Sequence, residues 1–78
     1  MKRMSEEERI VNQKVELARV KAGMKESTLA RMVGISPQQY NKHKACIDRI
    51  SAARMFKIAD VLGCDVRSFS PFNNDSLN

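Results

Sequence analysis

The chain has 78 residues, so it forms one domain at most, near the lower size limit for folding without disulfides or metals. Fourteen Lys and Arg residues against nine Asp and Glu residues give a net charge of +5. A basic balance in so small a domain favours a polyanionic partner, most often nucleic acid. No apolar run approaches the ~20 residues that span a bilayer. The N-terminus carries no secretory apolar segment, and the two cysteines have no metal-ligand spacing, so we expect a reduced, cytoplasmic protein without membrane contact.

The positive charge is concentrated in the middle of the chain. Between Ser36 and Lys57, five basic residues are opposed by a single acid, Asp48. Three acids lie together near the N-terminus, at Glu6–Glu8. The central segment is therefore the part of the chain that we expect to face a polyanion.

The first helix has clear signals at both ends. Ser5 and Glu8 have the spacing of a capping box, and the acids between them complement the positive end of the helix dipole. Apolar residues then recur at helical spacing, and they are Val11, Val15, Ala18 and Ala22. Because Gly23 is a typical C-terminal stop, we predict a helix from Glu6 to about Ala22.

A short second helix follows. Leu29, Met32 and Val33 mark its apolar face, and Gly34 is placed to end it in the left-handed conformation. Its start is poorly signalled, because Lys25 is a weak N-cap residue.

The third helix has the clearest start in the chain. Ser36 is a good N-cap, Pro37 suits the first helical position, and Gln39 occupies the third. We predict a helix to about Ala45. Only three residues, from Gly34 to Ser36, join it to the second helix, and so short a connection with glycine is typical of a helix-turn-helix, here over about residues 26–45.

The fourth helix begins after Ser51 and ends at Gly63. Its apolar residues recur at spacings of three and four, and they are Met55, Ile58, Ala59 and Leu62. Asp65 can cap a last turn that contains Val66 and Phe69. The predicted organisation is an N-terminal tail and cap over residues 1–5, a DNA-binding domain over 6–69 and a flexible tail over 70–78.

The third helix has two different faces. At ~100° per residue, Tyr40 and His43 fall on one side. The opposite side carries Gln38, Asn41, Lys42 and Ala45, with Gln39 on the flank. Gln and Asn can bond adenine bidentately and Lys can donate to guanine, so this face suits base reading in the major groove. The alternative is that these residues are ordinary solvated surface groups and that Gln39 serves its capping box instead of a base.

Catalysis and metal binding find little support in the sequence. One histidine and two cysteines provide no nucleophile with a base and an orienting group. His43 and Cys46 are spaced by three, but no second pair completes four metal ligands. We therefore predict no enzyme activity, no metal site and no cofactor, with both cysteines serving packing.

Two segments carry a resemblance to a known family. The run from Leu29 to Ser36 resembles the Leu-Ala-x-x-x-Gly-Val-Ser signature of the Cro/C1-type, or XRE-type, helix-turn-helix regulators. The segment from Ser51 to Phe69 is similar to the fourth and fifth helices of that family. The resemblance covers roughly Val11 to Phe69 and is specific because the pieces occur together and in register.

The resemblance implies a compact, all-α, five-helix domain like that of lambda repressor. The third helix would enter the major groove of double-stranded DNA, and the expected base-reading residues are Gln38, Gln39, Asn41 and Lys42. The expected phosphate-binding residues are Arg19, Ser27, Thr28, Ser36, Lys44 and Arg49. A homodimer on a two-fold operator is also implied, with half-sites ~34 Å apart. Its interface would lie near the last two helices, with Phe69 and Phe72 as exposed anchors.

The chain departs from the family pattern at four positions. Glu26 stands where glutamine is common, and a carboxylate there would repel a phosphate. Lys44 and Cys46 replace the Glu and Gly of the usual Glu-x-Gly ending, so Arg19 would face a like charge. Either both bases turn towards phosphate, or the packing of helix one on helix three has changed. His43 occupies a usually apolar position, where we expect a tolerated, partly buried side chain.

The sequence thus favours a DNA-binding transcriptional regulator, a repressor that acts as a homodimer on a palindromic operator. The alternative is an antitoxin, or another module that binds a protein partner, with weak or lost DNA binding. Substitution of Lys42 and Arg49 distinguishes the two, because it should abolish DNA binding and spare a partner docked elsewhere.

Overall fold

The computed structural model describes residues 4–72, and these residues form helices without a strand. Four α-helices occur in the order α1 (Glu6–Lys21), α2 (Glu26–Val33), α3 (Pro37–Lys44) and α4 (Ala52–Leu62). A 3-10 helix over Val66–Phe69 follows. The predicted flexibility of the C-terminal tail concerns mainly residues 73–78, which lie outside the described residues.

The helix starts confirm the capping signals. Ser5 and Glu8 form the capping box at α1, and the hydroxyl of Ser36 accepts a hydrogen bond from the amide of Gln39 at α3. Ser51 caps α4 in the same way. Lys25 stands at the N-cap of α2 without a side-chain hydrogen bond, as its weak capping character predicts.

The expected fifth α-helix does not form in the described part of the chain, so this prediction is wrong. The segment from Val66 to Phe69 is a 3-10 helix of four residues, capped by Asp65, whose carboxylate accepts from the amide of Arg67. Ser70 is already extended, and Pro71 cannot continue a helix. This part of the chain is therefore too short for α-helical hydrogen bonding.

The four α-helices end in the same way. After each one, a residue with positive φ is followed by an amide that bonds the carbonyl five residues back. The residues with positive φ are Gly23, Gly34, Cys46 and Gly63. Cys46, with φ of 59°, is the one residue other than glycine in this conformation among residues 4–72. It performs at the end of α3 the role that glycine performs elsewhere.

One hydrophobic core unites the elements. Every helix contributes buried side chains to it, and the loop before α4 adds Ile50. The buried core residues are Val15, Leu29, Ala30, Tyr40, Ile50, Ile58, Ala59 and Phe69. Phe69 is 1% exposed, which corrects its expected role as an exposed anchor of a dimer interface. The 3-10 helix packs on α1 and α4, so Phe69 turns inward and closes the core. Phe72 is 79% exposed, and Phe56 on α4 is 62% exposed.

The prediction that Met32 lies on the buried face of α2 is also wrong. It was expected on the apolar face of α2 with Leu29 and Val33, but its side chain is 48% exposed. Leu29 and Ala30 are the buried residues of α2, and Val33 packs at the edge of the core. Leu29, Ala30 and Val33 therefore share the buried side of this short helix, and Met32 lies about 100° around the helix axis from the middle of that side.

Candidate nucleic-acid interface

The turn between α2 and α3 holds the two helices together through local bonds. Gly34 has φ of 86°, and the amide of Ile35 donates to the carbonyl of Ala30 at 2.9 Å. A Cβ added at Gly34 would meet nothing within 4 Å, so the backbone conformation alone favours glycine there. Ser36 then caps α3 at once. The two helices of the motif are therefore positioned by three residues.

The inward face of α3 is fixed to the rest of the domain. Tyr40 and His43 are each 1% exposed, as the helical wheel predicts. The Tyr40 hydroxyl donates to Glu16 Oε1 at 2.7 Å. Burial, and then this hydrogen bond to a carboxylate, raise the pKa of Tyr40 well above its usual value.

His43 is more deeply buried than the sequence suggested. Its Nδ1 lies 2.9 Å from the carbonyl oxygen of Asp48, and its Nε2 lies 3.2 Å from a guanidinium nitrogen of Arg54. A neutral imidazole with its proton on Nδ1 donates to the carbonyl and accepts from the guanidinium. The side chain therefore has a partner at both nitrogens, which accounts for a polar residue in the core.

Asn12 is the residue that the sequence analysis missed. It is 2% exposed on α1, and its amide nitrogen donates to the carbonyls of His43 at 2.9 Å and Asp48 at 3.0 Å. One side chain thus holds both the last turn of α3 and the loop after it. These partners are 31 and 36 residues away in sequence, so no local pattern could reveal them.

The outward face of α3 is exposed to solvent. Gln38, Asn41 and Lys42 are exposed. Across residues 4–72, no hydrogen bond or ion pair engages these three side chains. Gln39 lies on the flank and is half-buried, and its side-chain amide donates to Asp48 Oδ2 at 3.2 Å. The expected capping box at α3 is therefore only half formed, because Ser36 accepts from the Gln39 backbone amide but the Gln39 side chain bonds Asp48 instead. The predicted base-reading set therefore divides into three free side chains and one that is tied to the loop after α3.

The expected phosphate-binding cations all have carboxylate partners. Arg19 donates through Nε and NH2 to both oxygens of Glu16, at 2.9 and 2.6 Å, and through NH1 to the carbonyl of Met24 at 2.5 Å. Arg49 Nε lies 3.3 Å from Glu8 Oε2. Lys44 pairs with Glu26. The hydrogen bonds from Arg19 hold the pKa of Glu16 below its usual value although burial opposes this shift, and the Tyr40 hydroxyl adds to the lowering.

The pairing of Glu26 resolves the like charges expected at Arg19 and Lys44. The Glu26 carboxylate lies between them, bound to Lys44 and 3.8 Å from Arg19 NH2. The acid that the family usually carries at the end of the third helix is thus supplied from the start of α2. The hydroxyl-bearing residues of the predicted phosphate set are Ser27 and Ser36, which are exposed, and Thr28, which is half-buried.

No metal-binding group is present among the described residues. Residues 4–72 contain no cluster of three or more His, Cys, Asp or Glu side chains that could hold an ion, and both cysteines are free thiols. None of the helices in this part of the chain is sufficiently long and apolar to span a membrane.

Comparison with known proteins shows similarity in sequence to one relative and similarity in fold to several solved structures. A relative from Rhodospirillum rubrum, described as an uncharacterized transcriptional regulator in the ATPase CF(0) region, is 37% identical over 59 residues. The match covers 76% of this chain, which spans 55% of the length of that relative. The restriction-modification controller protein C.AhdI from Aeromonas hydrophila has a TM-score of 0.71 at 20% identity, over 77% of this chain and 91% of that one.

Two further structures share the fold. The regulator SinR, solved in complex with DNA, has a TM-score of 0.69 at 20% identity, over 76% of this chain and 95% of that chain. Part of the hydroxypropylphosphonic acid epoxidase of S. wedmorenis has a TM-score of 0.78 at 17% identity, over 87% of this chain but 36% of the enzyme. These identities establish the fold and not the activity, because one fold serves many functions.

The family is established by sequence. The profile of the helix-turn-helix family matches residues 15–69, which is most of the chain. That range begins inside α1 and ends with the 3-10 helix, so it contains α2, the turn and α3. The chain therefore belongs to the Cro/C1-type, or XRE-type, helix-turn-helix family of DNA-binding transcriptional regulators.

Proposed function

We propose that this protein is a transcriptional regulator that binds a short double-stranded DNA sequence through α3. The observation that carries the proposal is the contrast between the two faces of that helix. Tyr40 and His43 are fixed in the core, whereas Gln38, Asn41 and Lys42 are exposed and engaged by nothing else among the described residues. A helix held rigidly by one face, with amide and ammonium groups on the other, suits the reading of base edges.

Phosphate contacts would surround this helix. The first turns of α2 and α3 present backbone amides, together with Ser27, Thr28 and Ser36, to a neighbouring strand. Arg49 is 56% exposed in the loop after α3, so it can exchange Glu8 for a phosphate at small cost. Arg19 is 13% exposed and held by three hydrogen bonds, so we assign it to positioning α1 and α2.

A homodimer would give such a small reader useful specificity. One recognition helix covers few base pairs, and a two-fold pair would read half-sites ~34 Å apart. The exposed aromatic rings of Phe56 and Phe72 are suited to the interface, in place of the buried Phe69. Bound across a promoter, the dimer would act as a repressor by occlusion.

The first experiment is selection of bound sequences from a random DNA pool, followed by fluorescence anisotropy with a salt titration. We expect a two-fold motif and a binding constant that falls with salt, with a slope of about −0.9 per phosphate neutralised. Lys42→Glu should abolish motif recognition, while Lys57→Glu, a matched change on α4, should retain it. Absence of any enriched motif would refute the proposal.

A second candidate is favoured by one observation. Arg19, Arg49 and Lys44 each have a carboxylate partner within the chain, which reduces the positive field around α3. Such pairing fits an antitoxin or another module that binds a protein partner and has weak DNA affinity. Lys42→Glu combined with Arg49→Glu distinguishes the two, because a partner docked away from α3 would still bind.

A further inference from the structure

Three helices meet at a cluster of alternating charges beside the predicted DNA-binding surface. Glu16 and Arg19 come from α1, Glu26 from the first residue of α2, and Lys44 from the last residue of α3. Glu26 contacts Lys44 directly and lies 3.8 Å from Arg19. The four side chains therefore carry no net charge, although the proposed function requires positive charge at this place.

The two cations of the cluster are held in different ways. Arg19 is 13% exposed and keeps bidentate bonds to Glu16 and a bond to the carbonyl of Met24, so it is fixed without Glu26. Lys44 is 39% exposed, and the Glu26 carboxylate is its only hydrogen-bond and ion-pair partner in the described part of the chain, although its charge also acts on Glu16 at longer range. Lys44 is thus the cation whose position Glu26 determines.

The Glu26–Lys44 pair contributes little to folding. Both side chains are about one-third exposed, and pairs in this setting stabilise a fold weakly because water screens the charges. Near DNA the Glu26 carboxylate would weaken binding in two ways. It neutralises Lys44, and it adds a negative charge at the start of α2, where Ser27 and Thr28 are expected to face phosphate.

We propose that Glu26 limits the DNA affinity of this protein by holding Lys44 away from phosphate, so that Lys44 makes no phosphate contact while its pair with Glu26 is intact. The proposal rests on the proposed function and adds to it a residue that sets affinity. Glu26→Gln then has two effects that act in the same direction. It removes a charge that repels phosphate, and it frees Lys44 to neutralise one.

The test is a cycle of four proteins, namely the wild type, Glu26→Gln, Lys44→Gln and the double variant, each titrated with a random-sequence duplex and with the selected operator. We expect Glu26→Gln to bind about tenfold more tightly at low salt, as removal of a nearby like charge permits. Its salt slope should steepen by about 0.9, the increment for one more phosphate contact. Lys44→Gln alone should change the DNA affinity little. In the double variant it should cancel the steepening of the salt slope that Glu26→Gln produces.

Glu7→Gln is the matched control, because it makes the same charge change at an exposed position of α1, nine residues or ~13 Å along the helix from Glu16 of the cluster. At 0.1 M salt it should leave the affinity within about twofold of the wild type, since exposed charges farther apart than the Debye length of ~10 Å are largely screened. Unfolding by urea is measured in parallel, and the four proteins of the cycle should remain folded with similar midpoints.

The outcomes separate this inference from the proposed function. If a motif is selected but Glu26→Gln binds no more tightly than the wild type, the function stands and the inference is wrong. If no motif is selected but Glu26→Gln still strengthens binding to the random duplex through Lys44, the inference stands and operator reading fails. Equal effects of Lys44→Gln in both backgrounds would overturn the inference, because Glu26 would then not restrain Lys44.

Discussion

The two ends of α3 are built by different means. At the N-terminal end, Ser36 caps its own helix and Gly34 makes the turn, so every device lies within a few residues of where it acts. At the C-terminal end, Asn12 from α1 and Arg54 from α4 meet the buried His43. The start of the helix is thus specified locally, whereas its end combines the local turn at Cys46 with tertiary contacts. The two ends should therefore respond differently to substitution.

Asn12→Ala should have the largest effect. It removes two buried hydrogen bonds and leaves the carbonyl of His43 without its side-chain donor, so we expect a loss of about 2–3 kcal/mol in the free energy of unfolding. Urea denaturation measures the change. Gln13→Ala, at the exposed neighbouring position, should change the stability by less than about 0.5 kcal/mol. Equal effects of the two substitutions would contradict the tertiary origin of this helix end.

Tyr40→Phe tests the contact midway between the two ends. Loss of a hydrogen bond to a carboxylate should cost about 1.5 kcal/mol. The pH profile gives a second readout. The folded pKa of Glu16 is lowered, so its stabilising contribution is complete above its usual pKa of 4.5 and is lost as the pH falls below that value.

The folded pKa of Tyr40 is raised, so its contribution is complete below its usual pKa of 10.0 and is lost as the pH rises above it. Thermal melts of the wild type between pH 8 and 11 should therefore show an alkaline decline that Tyr40→Phe lacks. An identical decline in both proteins would show that another group titrates.

Ser36→Ala should act only at the N-terminal end. Loss of the cap should cost about 1 kcal/mol. Hydrogen exchange of the Gln39 amide, which donates to the Ser36 hydroxyl, should accelerate more than exchange in the last turn of α3. Uniform acceleration along α3 would indicate that this end is not independent.

Cys46→Gly should be the one stabilising change. Cys46 has φ of 59°, a conformation that costs other residues energy and glycine none, so we expect a gain of about 0.5–1 kcal/mol. Gly34→Ala is the reverse substitution and should lower the free energy of unfolding by a similar amount, because only the backbone conformation disfavours the new side chain. A destabilised Cys46→Gly would mean that packing of the thiol outweighs the backbone strain.

What could be predicted from sequence follows the same division. Caps at Ser5, Ser36 and Ser51 and the turn at Gly34 act on their own neighbourhood, so the four helices and the motif were found. The segregation of Tyr40 and His43 from Gln38, Asn41 and Lys42 was also found, because helical geometry alone determines it.

The errors concern contacts between distant residues. The role of Asn12 depends on carbonyls in another helix and loop, and no periodicity reports a hydrogen bond across 31 residues. Phe69 is buried because the 3-10 helix packs on α1, and the sequence near Phe69 carries no signal of this packing. The prediction that Phe69 lies on the surface is therefore wrong. Glu26 was treated as a simple obstacle to phosphate, since its pairing with Lys44 requires the ends of two helices to meet.

The separation of the two faces of α3 has a consequence for evolution and for engineering. Since the side chains of Gln38, Asn41 and Lys42 are exposed and lie outside the core, they can be exchanged for other helix-compatible residues without the loss of a core interaction. Variation at these three positions can therefore explore new binding preferences while stability remains nearly constant. The buried scaffold residues Asn12, Tyr40 and His43 do not share this freedom, so the domain combines a fixed frame with a surface that is open to diversification.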